Sequence, residues 1–591
     1  MPSSRSLPPS VKGARWRFAE SNEALALAHI QHHDVPDVVG RMLAQREITV
    51  ENATHFLNPT LRHFLPEPLH LIDMEKAAKR LLLAIKKQET ICIFGDYDVD
   101  GATSTAMLVR YLRSVGNDAR FYIPDRILEG YGPSTTALLQ LRKEGVDLVI
   151  TVDCGTVAFE PLEAAAKAGL DIVVIDHHLS EHAVPTAIAV VNPNRMDETS
   201  KERNLCAAGV TFLLLVALNR MLREEGFFKT RQEPDLLSLL DLAALGTVCD
   251  VMSLTNLNRA FVSQGLKIMA KRGNIGLSAL ADVGRMDGPP SVYHLGFILG
   301  PRINAGGRVG ESHLGARLLS TEDPEEAAAL AKELDRLNAE RQQIEKSVLE
   351  EAAKLTELQA NNPVVTIAGK GWHPGVIGIV AGRIKELLGR PTAIIALDKG
   401  IGKASARSIQ GVDFGSAITA ARLEGLLLAG GGHAMAGGFT VEEKFIPELV
   451  RFFNERLAAD VTRETEEKIL TLDASLPLSA LTPELMQSLE ALAPYGVGNP
   501  EPRFACMDVR VVKADIVGEN HVRAIFTEQG AAANGKSRLK AVAFRCSDSP
   551  LGHTLLYSKG KNLHIAGRLK MNRWQGNESV EMQIEDVIVA D

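Results

Sequence analysis

Three short apolar runs, each closing on an acid, restrict this chain more than any other feature. They are TICIFGD (90–96), DLVITVD (147–153) and DIVVIDHH (171–178). Runs this short, rich in Ile and Val, read as strands buried on both faces rather than as helices. Helical spacing follows at 102–115, 135–145 and 161–169, and RFYIP (120–124) reads as a further strand. The alternation predicts a parallel α/β sheet with helices on both faces. In such a sheet ligands sit at the carboxyl ends of the strands. Asp96, Asp98 and Asp100 of GDYDVDG, Asp153 of TVDCG, and Asp176, His177 and His178 of IDHH should therefore meet at one edge.

Four or more carboxylates at one edge repel strongly unless cations neutralise them. Histidine beside carboxylates suits Mn²⁺, Fe²⁺ or Zn²⁺, and oxygen-rich sites suit Mg²⁺ or Mn²⁺. Two metals about 3.5–4 Å apart are the common arrangement for phosphoester hydrolysis. Each motif alone has an ordinary reading. DxDxDG can be a turn, Asp153 a helix cap, and the two histidines buried hydrogen-bonding groups. Jointly, at three successive strand ends, they point to a metal site.

At 591 residues the chain is too long for one core, and three or four domains are expected. Residues 1–75 read as a mostly helical preface and 76–320 as the acid-bearing domain. Residues 321–360 carry Leu330, Leu334, Leu337, Ile344, Val348 and Leu355 at helical spacing, interrupted by Arg341, and read as a long connecting helix. A second α/β unit runs over 361–462. Alternating segments over 463–591 predict a small OB-type β-barrel.

The net charge is −8, yet Lys536 to Arg573 holds nine Lys or Arg and one acid. That run fits a groove for one nucleic-acid strand, or a solvated face. Six scattered cysteines form no CxxC pair, which suits a reducing cytoplasm. No apolar run reaches the roughly 18 residues of a membrane span, and the N-terminus lacks a secretory apolar stretch.

DYDVDG, TVDCG, the Asp176-His177-His178 triplet and ALGTVCDV (244–251) resemble, in order, the four motifs of the DHH phosphoesterases. LGPRINAGGRVG (299–310), GWHPGVIGIVAGRI (371–384), GKASARS (402–408), GGGHAMAGGF (430–439) and PYGVGNP resemble the branch that digests single-stranded DNA 5′→3′. The resemblance implies a parallel-sheet DHH domain, a smaller α/β DHH-associated domain and a C-terminal OB barrel. It implies two divalent ions, Mn²⁺ or Mg²⁺, on Asp98, Asp100, Asp153, His177 and Asp250, with Asp153 as bridge. Asp96 and His178 lie nearby in catalytic roles, and Asp176 orients a neighbour.

Ser405 and Arg407, two apart on an extended segment, share a face and can hold one phosphate. The resemblance adds Arg126 and Arg302 to a 5′-phosphate pocket and His433 as a positioning group. On the barrel, Arg568, Lys570, Arg573 and Trp574 are candidates for gripping the strand, and Trp574 can equally belong to the barrel core. The resemblance implies work in DNA recombination and repair, with single-stranded-DNA-binding protein as partner. Nothing marks an oligomer interface, so a monomer is expected. Two other readings are a DHH enzyme for pyrophosphate, cyclic dinucleotides or short oligonucleotides, and a non-catalytic replication scaffold. The first has no need of a barrel, and the second predicts eroded ligands.

Overall fold

All three apolar runs are strands. The computed structural model describes residues 7–126, 128–465, 468–528, 538–574 and 577–590. Strands Ile91–Gly95 (β1), Arg120–Tyr122 (β2), Leu148–Val152 (β3), Asp171–Ile175 (β4) and Ala189–Val191 (β5) form one parallel sheet ordered β2-β1-β3-β4-β5. β1 and β3 are buried at every position, as strands covered on both faces must be. The chain passes from β1 outward to β2 and then back across to β3. The switch point thus lies between β1 and β3, where open α/β sheets bind ligands. Asp96 follows β1 and Asp153 follows β3.

Helix Val99–Ser114 (α1) starts in the acidic motif, and Asp98 caps it through the amides of Asp100 (2.9 Å) and Gly101 (3.1 Å). Helix Leu240–Cys249 (α2) packs on α1 and ends at Asp250. Gly246 permits that approach: a Cβ there would lie 2.8 Å from an Asp100 carboxylate oxygen. Helix Gly300–Val309 (α3) carries Arg302 and Arg308.

The connecting helix is Pro324–Thr356 (α4), with Leu330, Leu334, Leu337 and Val348 on its buried face. Arg341 is buried there too. It pairs with Glu345 at 2.5 Å and bonds Asn338, which supplies the compensation a buried guanidinium needs. Beyond it, Val365–Lys370 (β6), Thr392–Asp398 (β7), Ile401–Arg407 (β8), Ala429–His433 (β9) and Ala436–Glu442 (β10) form a mixed sheet ordered β9-β10-β8-β7-β6. Helix Ile377–Leu388 (α5) packs on β7 and β8. These elements belong to one compact unit, Phe64–Thr465.

The other unit joins Met1–His63 to Glu466–Asp591. Phe504–Val517 (β11), His521–Glu528 (β12), Arg538–Ala543 (β13), Asn562–Trp574 (β14) and Asn577–Val589 (β15) run in the order β11-β12-β13-β15-β14. Antiparallel pairing of β14 with β11 closes a five-stranded barrel. The first residues of the chain complete its core. Strand Arg15–Phe18 pairs in parallel with Ile469–Leu472. Val39, Met42 and Leu43 share a core with Phe504, Phe526 and Ile565. Each such buried side chain contributes roughly 1.5–3 kcal/mol, so the N-terminal segment is bound to the barrel by packing. No helix among the described residues is long and apolar enough to cross a membrane.

Candidate metal centre and phosphate pocket

The strand ends bring the predicted acids together. His177 Nε2 lies 3.1 Å from Asp153, 3.5 Å from Asp250 and 3.7 Å from Asp100. Three groups of ligand atoms, each within 4.8 Å, are Asp153-His177-His178, Asp100-His177-Asp250 and Asp96-Asp98-Asp153. His177 is shared by two of them and Asp153 by two, the topology of adjoining cation positions.

Neighbouring groups aim the side chains. The backbone amides of Ala207 and Ala208 hold the Asp100 carboxylate at 2.7 and 2.9 Å. Asp176 accepts from the amides of Thr156, His177 and His178 and from His178 Nδ1 at 2.7 Å. It therefore orients the His178 ring and holds the turn that carries both histidines. Tyr131, which the sequence did not single out, donates its hydroxyl to the Asp153 carbonyl at 3.0 Å and lies 3.1 Å from His178 Nδ1. Asp153 itself takes a left-handed backbone, φ +62°, a conformation found often at functional turns.

The electrostatics call for cations. Burial, then the charges of Asp98 and Asp100, push Asp153 well above the usual carboxylate range. Burial and Asp98 do the same to Asp96. Burial, Asp100 and Asp98 raise Asp250 to about 9. Burial keeps His177 below its ordinary value and so neutral, the form that ligates metal. Against its burial, the Asp176 hydrogen bond lifts His178 to about 9. Asp96 Oδ1 and Asp250 Oδ2 are buried without a hydrogen-bond partner. Buried carboxylate oxygens left without donors fit a cation in the donor set.

A second cluster is cationic. Ser405 and Arg407 share a face of β8, as their spacing predicts, and Arg407 Nη1 donates to Ser405 Oγ at 3.2 Å. They lie against the first turn of α5. A Cβ at Gly378 would come within 3.0 Å of Ser405 Oγ and 3.2 Å of Arg407 Nη2, so glycine there allows the contact. A helix start and a guanidinium suit a phosphate. Arg126, stacked on Tyr97 at 4.9 Å, stands near enough to lower Arg407, after burial.

Arg308 joins this group, and sequence reasoning missed it. Burial first, then Arg126, Arg341 and Arg407, lower it to about 10. Its Nη1 donates to Gly375 O at 3.0 Å, linking α3 to the approach of α5. Arg302, also predicted for the pocket, bonds Asp335 at 2.9 Å and Ile298 O at 2.8 Å. His433 ends β9 in an exposed position.

On the barrel, acids engage each predicted cation. Arg568 pairs with Glu585 at 2.8 Å, Lys570 with Glu501 at 2.5 Å and Arg573 with Glu578 at 3.0 Å. The side chain of Trp574, and Gln575 and Gly576 after it, lie outside the described residues.

The chain matches three family models: the DHH family, N-terminal domain, over residues 90–247; the DHHA1 domain over 361–459; and the RecJ OB domain over 472–586. It is 36% identical over 568 residues to the single-stranded-DNA-specific exonuclease RecJ of Dickeya dadantii, covering 93% of this chain and 96% of that one. The crystal structure of RecJ with Mn²⁺ from Thermus thermophilus superposes with a TM-score of 0.81 at 31% identity, over 98% of this chain and 80% of that one. An exonuclease RecJ bound to manganese, 36% identical, aligns over 67% of this chain and 97% of its own, with a TM-score of 0.57. Similar to the Dickeya dadantii and Thermus thermophilus relatives along nearly its whole length, the chain belongs to the RecJ family of DHH proteins.

Proposed function

We propose that this protein is a metal-dependent exonuclease that hydrolyses single-stranded DNA from its 5′ end to 5′-mononucleotides. One observation carries the reading: an acid-and-histidine cluster and an arginine pocket lie in one unit, with Arg308 linking their elements. The pocket suits a terminal phosphate, and the cluster suits cleavage of the phosphodiester beside it. The RecJ relatives, named as single-stranded-DNA-specific exonucleases, support the same reaction.

Asp98, Asp100, Asp153, His177 and Asp250 would hold two divalent ions, Mn²⁺ or Mg²⁺, and Asp153 belongs to two of the three ligand groups. Those ions supply the Lewis acidity for hydrolysis. The chain supplies the rest. Arg126, Arg308, Ser405 and Arg407 hold the 5′-phosphate and so fix which bond is presented. His178, oriented by the hydrogen bond between its Nδ1 and Asp176, is placed to donate to an oxygen of the reacting phosphate. Asp96, beside Asp98 and Asp153, adds a carboxylate at the switch point. His433 is a positioning group for the strand. The test is release of nucleotide from 5′-labelled single-stranded DNA with Mn²⁺, beside pyrophosphate and a dinucleotide. Hydrolysis of only the small substrates would replace the exonuclease reading with a small-molecule one.

We assign strand-holding to the barrel, through Arg568, Lys570, Arg573 and Trp574. Because residues 7–63 pack into the barrel core, the informative truncation is residues 64–465 and not a C-terminal deletion alone. That piece should keep its turnover on very short oligonucleotides. On long DNA its KM should rise about tenfold, and the dependence of KM on salt should flatten. Equal losses on both substrates would make the barrel part of the catalytic architecture. The reading also includes a cytoplasmic setting, supported by six unpaired cysteines. A monomeric state, single-stranded-DNA-binding protein as partner, and roles in recombination and repair rest on the family resemblance.

A further inference from the structure

Helix α2 closes with two hydrogen bonds: Met252 N–H to Thr247 O at 3.1 Å and Val251 N–H to Val248 O at 3.2 Å. This is the Schellman pattern, which puts the residue after the C-cap in the left-handed region and normally selects glycine there. The residue is Val251, with φ +58°. The other non-glycine residues of positive φ among those described are Asp, Glu, Gln, Asn, Arg and Lys. Val251 alone is β-branched, the type most strained in this conformation. Burial does not compensate, because the residue is 65% exposed. Neither the local backbone nor packing accounts for valine at this position.

Its neighbourhood does. Val251 directly follows Asp250, whose carboxylate lies 3.5 Å from His177. Leu179 directly follows His178 and is 63% exposed; Val157, four residues past Asp153, is 47% exposed. Apolar side chains beside the acid-bearing ends are poor partners for phosphates or hydrated cations. They suit the face of a nucleobase, which every base presents alike.

We propose that Val251, with Leu179 as a second apolar contact, seats the base of the nucleotide being removed, and that this contact maintains a β-branched side chain where glycine would be relaxed. The proposal rests on the single-strand exonuclease reading. It explains how a site built for phosphate chemistry can add sequence-independent affinity for the nucleoside.

The test uses the full chain carrying Val251→Gly, with Val251→Ala as the second variant. Glycine holds the same backbone without strain, so the melting temperature should stay equal or rise, and Mn²⁺ affinity by calorimetry should not change. KM for a 5′-phosphorylated oligonucleotide should rise about three- to tenfold, the scale of a partly buried valine contact, with kcat within about twofold. Alanine should fall between. On an oligonucleotide whose 5′-terminal residues are abasic, wild type and variants should converge. A lower melting temperature or weaker Mn²⁺ binding in the glycine variant would make Val251 a structural support for Asp250 and overturn the proposal. An unchanged KM, or an equal loss on abasic DNA, would also overturn it. If the wild type digests no single-stranded DNA, the exonuclease reading fails first and this proposal falls with it.

Discussion

Asp153→Ala should abolish cleavage, by about a thousandfold or more, while leaving the protein folded. The side chain is shared by two of the three ligand groups and sits at the β1/β3 switch point, so its removal disrupts both cation positions at once. Metal chemistry contributes several kcal/mol to phosphoester hydrolysis, and each 1.36 kcal/mol is a factor of ten. The stability change runs the other way. Burial and the charges of Asp98 and Asp100 disfavour the ionised Asp153. An acid raised in this way destabilises the fold as the pH climbs toward its folded pKa. At neutral pH the alanine variant without cations should therefore melt at the same temperature as wild type or higher. Adding Mn²⁺ should raise the wild-type melting temperature, by the mass action of a ligand that binds only the folded state, and raise the variant's much less. Thermal melts with and without Mn²⁺, beside nucleotide release, check both halves. Appreciable turnover of the variant in saturating Mn²⁺ would refute the bridging assignment.

The site was legible in the sequence to the extent that it is built from strand ends. β1, β3 and β4 carry apolar runs that announce buried parallel strands, and the acids stand immediately beyond them. Ser405 and Arg407 were legible for the same reason, since alternation along a strand fixes a common face. Asp250 was not, because an acid at a helix end ordinarily is solvated; only the family resemblance marked it. Arg308 was missed altogether. In GGR it reads as a surface arginine, and its significance comes from Gly375, Arg126 and Arg407, remote in sequence. Arg302, six residues earlier on the same helix, shares the motif and bonds Asp335. Arg341 read as an interruption of the connecting helix's apolar stripe, and the structure buries it there against Asn338 and Glu345. The role of the first residues was equally hidden. A four-residue strand whose partner lies some 450 residues away leaves no local periodicity to read.

Arg407→Ala should weaken cleavage of 5′-phosphorylated DNA about ten- to hundredfold, with far less effect on 5′-hydroxyl DNA. A hydrogen bond to a charged group contributes about 1.5–3 kcal/mol, and that contribution vanishes when the phosphate is absent. The variant should remain folded, because among the described residues the guanidinium bonds Ser405 Oγ and the Ala406 carbonyl, both of its own strand. The structure sharpens the comparison. Arg308→Ala should follow the same pattern, since Arg308 belongs to the same cationic group. Arg302→Ala removes an ion pair with Asp335 on α4 and should affect both substrates alike. Measuring kcat/KM on the two substrates for all three variants separates end recognition from scaffolding. A loss for Arg407→Ala that is equal on both DNAs would mean the pocket does not read the 5′ end. A phosphate-selective loss for Arg302→Ala would mean that its Asp335 pair opens to admit substrate.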